Sequence, residues 1–212
     1  MKKPATKFLL TKKLHMTQLF DENGNVVPVT VLAATANTIT QVKTADKDGY
    51  VAVQVGMGER RAKTVSKSIV GHHKAAGKTD GKVFRHLSEF RVADSSTYKV
   101  GDQVAASQFA PGEKVKALGY SKGRGFQGVI KRHGFHGQPA SHGHKDQERA
   151  GGSIGAGGVQ RTFKGLRMPG HMGDKHRTVA GLKIVKVDAD TNELYVRGAV
   201  PGGRNALIWI YQ

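Results

Sequence analysis

The stretch Gly119-Tyr120-Ser121-Lys122-Gly123-Arg124-Gly125-Phe126-Gln127-Gly128-Val129-Ile130-Lys131-Arg132-His133-Gly134-Phe135 decides how this chain is read. Glycines, cations and rings alternate in it, with few apolar residues to bury. It is the densest part of a longer segment, residues 114–177. Two further portions continue the mixture: residues 141–155, which include Ser141-His142-Gly143-His144 and Gly152-Ser153-Ile154-Gly155, and residues 161–173, Arg161-Thr162-Phe163-Lys164-Gly165-Leu166-Arg167-Met168-Pro169-Gly170-His171-Met172-Gly173. So much positive charge with so little to bury does not fold on its own hydrophobic account. A polyanion is needed to organise it, and RNA is the nearest candidate. Lys and Arg supply phosphate contacts, and Gly lets the backbone approach a sugar-phosphate chain. Phe126, Phe135 and the imidazoles offer faces to unpaired bases.

Outward from this segment, both flanks read as β structure. On the N-terminal side Val, Ile and Thr dominate residues 7–20, 26–34, 38–43 and 50–55, with Asn23-Gly24 and Asp48-Gly49 as turns. Pro28 predicts that its strand lies at an edge or begins there. Residues 62–76 fit one or two short basic helices, and a β pair is expected at 89–92 and 102–109, turning at 99–102. On the C-terminal side, 178–187, 193–200 and 206–211 are strands separated by turns at 190–192 and 201–203. Short strands at this spacing argue for a barrel or sandwich. The chain leaves a β body, makes a long basic excursion and returns to complete the same body. Deleting 119–176 should therefore leave a foldable barrel.

The bulk numbers agree. Lys and Arg total 34 against 16 Asp and Glu, a formal net charge of +18 over 212 residues. That excess attracts nucleic acid or an anionic membrane. No apolar run approaches the roughly twenty residues needed to cross a bilayer. Phe8-Leu9-Leu10 is too short for a signal peptide, so a soluble, cytoplasmic protein is expected. The absence of Cys excludes disulfides, thiolate zinc sites and Cys nucleophiles. Gly123-x-Gly125-x-x-Gly128 matches the dinucleotide fingerprint in spacing, but no buried strand precedes it. His133, His136, His142 and His144 could ligate a metal, yet Lys131, Arg132 and Lys145 beside them would repel a cation. Neither a nucleophile elbow nor a His-Glu-x-x-His motif occurs, so no enzyme is expected.

At these residues the chain resembles the bacterial form of the large-ribosomal-subunit protein L-three family, nearly end to end. The resemblance is carried by Lys12-Lys13-Leu14-His15-Met16-Thr17-Gln18-Leu19-Phe20, Pro28-Val29-Thr30-Val31-Leu32, Ser121-Lys122-Gly123-Arg124-Gly125-Phe126-Gln127-Gly128, Lys131-Arg132-His133 and Ser141-His142-Gly143. It continues through Gly152-Ser153-Ile154-Gly155, Phe163-Lys164-Gly165, Met168-Pro169-Gly170-His171-Met172-Gly173 and Val196-Arg197-Gly198-Ala199-Val200-Pro201-Gly202. Each motif alone is weak; this many in order is strong. The resemblance implies a closed β-barrel of translation-factor type on the outside of the subunit, with an arm running inward toward the peptidyl-transferase region. It implies direct contact with large-subunit rRNA, including its 3′ region, early action in assembly, and neighbouring ribosomal proteins against the barrel. Some relatives carry a modifiable Gln after Gly-Ser-Ile-Gly; this chain has Ala156. The stretch 156–162 is also shorter than usual, and His15 stands where the family has Gly.

The reading is thus a mainly β protein. Its barrel body spans 1–113 and 178–212, with a small helical insertion at about 60–88, and its rRNA-penetrating arm spans 114–177. Expected RNA contacts are Lys122, Arg124, Phe126, Lys131, Arg132, His133, Phe135, His142, Arg149, Arg161, Lys164, Arg167, His171, Lys175 and Arg177. By the resemblance, Ser153, Ile154, Gly155, Ala156, Gly157 and Gly158 form the arm's tip. No catalytic residue, protein-held metal, membrane or small-molecule substrate is expected, and no cofactor beyond magnesium that rRNA could carry. The other reading of the same charge is a non-ribosomal RNA chaperone or architectural nucleic-acid-binding protein.

Overall fold

The computed structural model describes residues 4–75 and 81–212. In chain order its strands are β1 (Phe8–Phe20), β2 (Val26–Ala33), β3 (Asn37–Lys43), β4 (Ala52–Arg61), β5 (Lys82–Arg91), β6 (Gln103–Val104), β7 (Lys114–Tyr120), β8 (Gly125–Gln127), β9 (Gly170–Met172), β10 (His176–Asp188), β11 (Glu193–Arg197) and β12 (Leu207–Tyr211). The α-helices are α1 (Ala45–Asp48), α2 (Lys67–Ala75) and α3 (Val129–His133). The chain divides into two compact units. One contains the chain up to Tyr120 and from His176 onward; the other is Ser121–Lys175.

In the first unit six strands close a barrel in the order β1-β12-β7-β10-β11-β2, every pair antiparallel. Its interior is filled by Leu9, Leu32, Val115, Ala117, Ile184, Leu194, Val196, Ile208 and Ile210, with Ala106 and Phe109 packed against them. Each fully buried side chain of the Leu or Ile class contributes about 1.5–3 kcal/mol relative to exposure. Four strands, β5-β4-β3-β6, form a second sheet. Its Ile39, Val53, Val55, Met57 and Phe90 pack against Phe8 and Leu10 of β1 and Leu207, Trp209 and Tyr211 of β12. Successive strand residues point to opposite faces, so Phe8 and Leu10 meet the second sheet while Leu9 enters the barrel. Burial on both faces is why Phe8-Leu9-Leu10 is an unbroken apolar run.

Several expectations are corrected. Pro28 lies inside a strand of a closed barrel, which has no edge. Its carbonyl accepts from the Gly198 N–H at 2.8 Å, so the N–H it lacks belongs to the same side, at the end of the β2–β11 ladder. Residues 105–109 are not strand: after β6 the chain makes a single 3-10 turn, Ala106–Gln108, that turns Ala106 and Phe109 into the barrel core. The helical insertion is narrower than 60–88, because β4 and β5 stay paired out to Arg61↔Lys82. It comprises Ala62–Thr64 and α2, and the expected helical position 76 lies outside the described residues. Residues 114–120 are barrel strand β7 rather than arm, and 176–177 open β10. His15 sits where the β1–β2 register shifts, between Lys13 and Met16, and its φ is not positive, so the change from Gly brings no backbone strain.

Candidate nucleic-acid interface

The second unit begins where the barrel ladder ends. At its root the Ser121 N–H donates to the Lys175 carbonyl at 3.0 Å and the Arg124 N–H to the Met172 carbonyl at 2.9 Å. This closeness depends on Gly173. Its φ is +79°, and a Cβ there would lie 2.2 Å from the Lys122 carbonyl oxygen. Beyond the root, β8 and β9 pair as a short antiparallel ribbon with Phe126 directly opposite His171. Directly opposed residues share a face, and Phe126 is 75% exposed. The ribbon therefore presents two ring-bearing side chains side by side.

Gly128 leads into α3, a single basic turn that Gly134 ends in the left-handed conformation. Val129 is buried, and the Gly151 position lies against Val129 and Phe135. Arg132 donates to the Met168 carbonyl at 2.5 Å, and the His133 ring lies 3.0 Å from the same oxygen. A Cβ on Gly170 would meet the Arg132 guanidinium at 2.8 Å, so glycine admits that side chain. Gly137 likewise lets the chain approach the Glu148 carbonyl, to which the Gln138 N–H donates at 3.0 Å. These contacts leave a cavity of about 420 Å³ bordered by His133, Phe135, His136 and Arg167.

The charge is unbalanced. Residues 121–175 carry ten Lys and Arg against Asp146, Glu148 and Asp174. Among the described residues none of those ten cations forms an ion pair; the pairs present, such as Lys43–Glu89 and Lys186–Asp188, belong to the first unit. Large apolar side chains are also left uncovered: Ile154 at 57% and Phe163 at 56%, with Val159, Leu166 and Met168 exposed as well.

The sequence-derived residues therefore fall into groups. Lys122, Arg124, Phe126, Lys131, His171 and Lys175 are exposed on the ribbon, its root and α3. Arg149, Arg161, Lys164 and Arg167 are exposed on connecting segments, as are Ser153, Ile154, Gly155, Ala156, Gly157 and Gly158. His142 is exposed in a left-handed conformation, φ 62°. Arg132, His133 and Phe135 are half-buried, and the first two hold Met168 in place. Arg177 belongs to β10 of the first unit. Lys145, in the His-rich portion, is exposed as well. Among the described residues no three His or acidic side chains gather to hold a metal. The dinucleotide spacing is not a phosphate loop either, since Gly125 opens a two-stranded ribbon and Gly128 precedes only five helical residues.

Comparison with known proteins gives a consistent picture. Residues 36–198 match the family model described as Ribosomal protein L3. The chain is 50% identical over 206 residues to the large ribosomal subunit protein uL3 of Pelotomaculum thermopropionicum, covering 97% of this chain and 96% of that protein. It is 46% identical over 203 residues to the uL3 of Herpetosiphon aurantiacus (95% and 94% covered). The corresponding protein of Acidothermus cellulolyticus is 47% identical over 205 residues (96% and 91%).

Proposed function

The chain belongs to the ribosomal protein L3 family and is a non-enzymatic protein of the large ribosomal subunit, and from that premise we propose that it binds large-subunit rRNA directly, chiefly through Ser121–Lys175. Its place is the ribosome, in the cytoplasm. The observation that carries the proposal is the combination of ten cations without ion pairs and uncovered rings and aliphatic side chains on a unit with little core of its own. Cations meet phosphates, and Phe126 with its neighbour His171 takes unpaired bases. The cost of ordering the arm is offset on binding. A protein of this kind acts early in assembly, tying rRNA segments that are distant in sequence, among them the 3′ region. Its segment 153–158, made of small residues apart from Ile154, reaches toward the peptidyl-transferase region, where a backbone with little side-chain bulk fits between packed nucleotides. Neighbouring ribosomal proteins lie against the barrel.

The test is a salt series of binding to large-subunit rRNA, to unrelated structured RNA of equal length and to duplex DNA. The intact chain is compared with one whose residues 121–175 are replaced by a two-residue turn. A preference for the rRNA that depends on 121–175 and persists at high salt supports the proposal. Equal and steeply salt-sensitive binding to all three would reduce the protein to a general polyanion binder.

A further inference from the structure

The first unit holds a groove of about 570 Å³ between the barrel strands β7 and β12 and the second sheet's β5. We propose that this groove seats one unpaired nucleotide of RNA, with its base on the aromatic wall and its phosphate between Lys116 and Arg91. The inference extends the reading of the chain as an rRNA-binding protein, but it concerns a site that lies wholly in the first unit.

The wall is aromatic for a reason of register. Trp209 and Tyr211 share the outer face of β12, Phe90 meets them from β5, and Tyr50 borders the groove beside Glu89 and Arg91. Tyr120 and His176, paired at the last rung of β7–β10, continue the wall. Their rings meet edge to face at 4.1 Å, and each lies about 6 Å from Trp209, at 6.3 and 6.0 Å. The indole N–H of Trp209 donates to the Ser88 hydroxyl at 2.5 Å. Its polar edge is thereby satisfied and its position fixed, which leaves the π surface as the recognition element.

The electrostatics favour an anion. Lys116 lies 5.7 Å from the Tyr211 ring centre and the Arg91 guanidinium 5.5 Å from that of Tyr50, so both cations are held over aromatic faces. Glu89, the one carboxylate in the lining, is already engaged: Lys43 pairs with it at 2.8 Å and the Tyr50 hydroxyl donates to it at 2.8 Å. A planar ring bearing an anionic group uses the wall and the cations together, whereas an acidic peptide would use only the cations. The volume falls within the roughly 300–1,000 Å³ typical of small-molecule sites.

Trp209 is the only tryptophan of the chain, so its fluorescence reads occupancy of the groove directly. The full-length protein is titrated with hexauridylate, with uridine 5′-monophosphate and with inorganic phosphate. Saturable quenching by both nucleotides and none by phosphate is expected. Lys116→Glu and Tyr211→Ala should each weaken the hexauridylate response by roughly ten-fold or more. Lys116 is only half-buried, so its variant tests the site even if Tyr211→Ala fails to fold. No quenching by hexauridylate, quenching by phosphate alone, or a response unchanged in Lys116→Glu would overturn the proposal. A triple arm variant, Lys122→Ala with Lys131→Ala and Lys164→Ala, separates the two readings. If it loses rRNA affinity while the groove gives no quenching, the groove fails and the arm stands. If the groove is quenched while the triple variant binds rRNA normally, the arm reading fails and the groove stands.

Discussion

Asn37 shows how one side chain closes a gap that strand pairing leaves. The β1–β2 ladder starts only at Lys12↔Ala33, so the backbone of Leu10 has no strand partner on that side. The fully buried Asn37 amide fills it: the Leu10 N–H donates to Oδ1 at 2.6 Å, and Nδ2 donates to the carbonyls of Leu10 at 3.1 Å and Thr35 at 2.9 Å. Asn37→Leu would strand both Leu10 groups in the interior, and urea unfolding should show a loss of about 2–4 kcal/mol. His73 is a buried group of the opposite kind. It packs beside Phe84 and His72, and among the described residues neither ring nitrogen has a hydrogen-bond partner. Burial, reinforced by His72, holds its pKa below the ordinary imidazole value, and His86 is shifted the same way, mainly by burial. The unfolded imidazoles therefore take up protons where the folded ones do not. Their contribution is fully present above about pH 6.5 and is lost as the pH falls below it. Unfolding should accordingly show lower stability at about pH 5.5 than at about pH 7.5. In His73→Leu that difference should shrink.

At the scale of elements, the β8–β9 ribbon is the paired part of the proposed rRNA-binding unit. Gly173→Ala adds a Cβ 2.2 Å from the Lys122 carbonyl at a φ of +79°. The ribbon's root should open, and amide exchange at Arg124 and Ser121, whose N–H groups bond across it, should accelerate. Phe126→Ala and His171→Ala remove one stacking face each, so each should weaken rRNA binding by about 1–3 kcal/mol. Phe126→Ala should leave thermal stability nearly unchanged, because that side chain is 75% exposed. Strand β7 is a barrel element that sequence reading missed, as it missed the short β8–β9 ribbon and α3. Its Lys114-Val115-Lys116-Ala117 alternation is a strand period, and Val115 and Ala117 do enter the core. The intervening lysines made the segment look continuous with the basic arm, although on a barrel strand they simply face outward.

For the whole molecule, the boundary between the two units fixes how the arm can be removed. Tyr120 and His176 are the last paired residues of β7 and β10. Deleting 119–176 would cut into two barrel strands and remove Gly119, where a Cβ would approach Ile208 to 2.8 Å. Replacing 121–175 by a two-residue Asn-Gly turn keeps both strands and suits an antiparallel pair. That shortened chain should unfold cooperatively on heating yet fail to enter the large subunit in a reconstitution assay. In the intact chain, if about six to ten arm cations neutralise phosphates, the electrostatic part of rRNA affinity should fall roughly 10³- to 10⁵-fold between 50 and 200 mM salt. Filter binding across that range gives the slope, and the arm-less chain should show a much shallower one.

Much of this was legible in the chain itself. Strand periodicity and turn dipeptides placed most strands, because a half-buried strand writes its two faces into alternate residues. Net charge and motif order pointed to the class of partner and the family, because charge and motifs are properties of the chain whatever its fold. The N-terminal strands could not be divided between a barrel and a second sheet in this way, since β1 to β6 carry similar composition and pairing is decided only when Phe8, Leu10 and Trp209 find the faces that cover them. Nor could sequence show that Arg132 and His133 turn inward to Met168 while Lys131 stays exposed, or that Tyr50, Phe90, Trp209 and Tyr211 line one groove. Those facts join residues far apart along the chain, and only the closing of the barrel and the meeting of the ribbon strands bring them within contact distance.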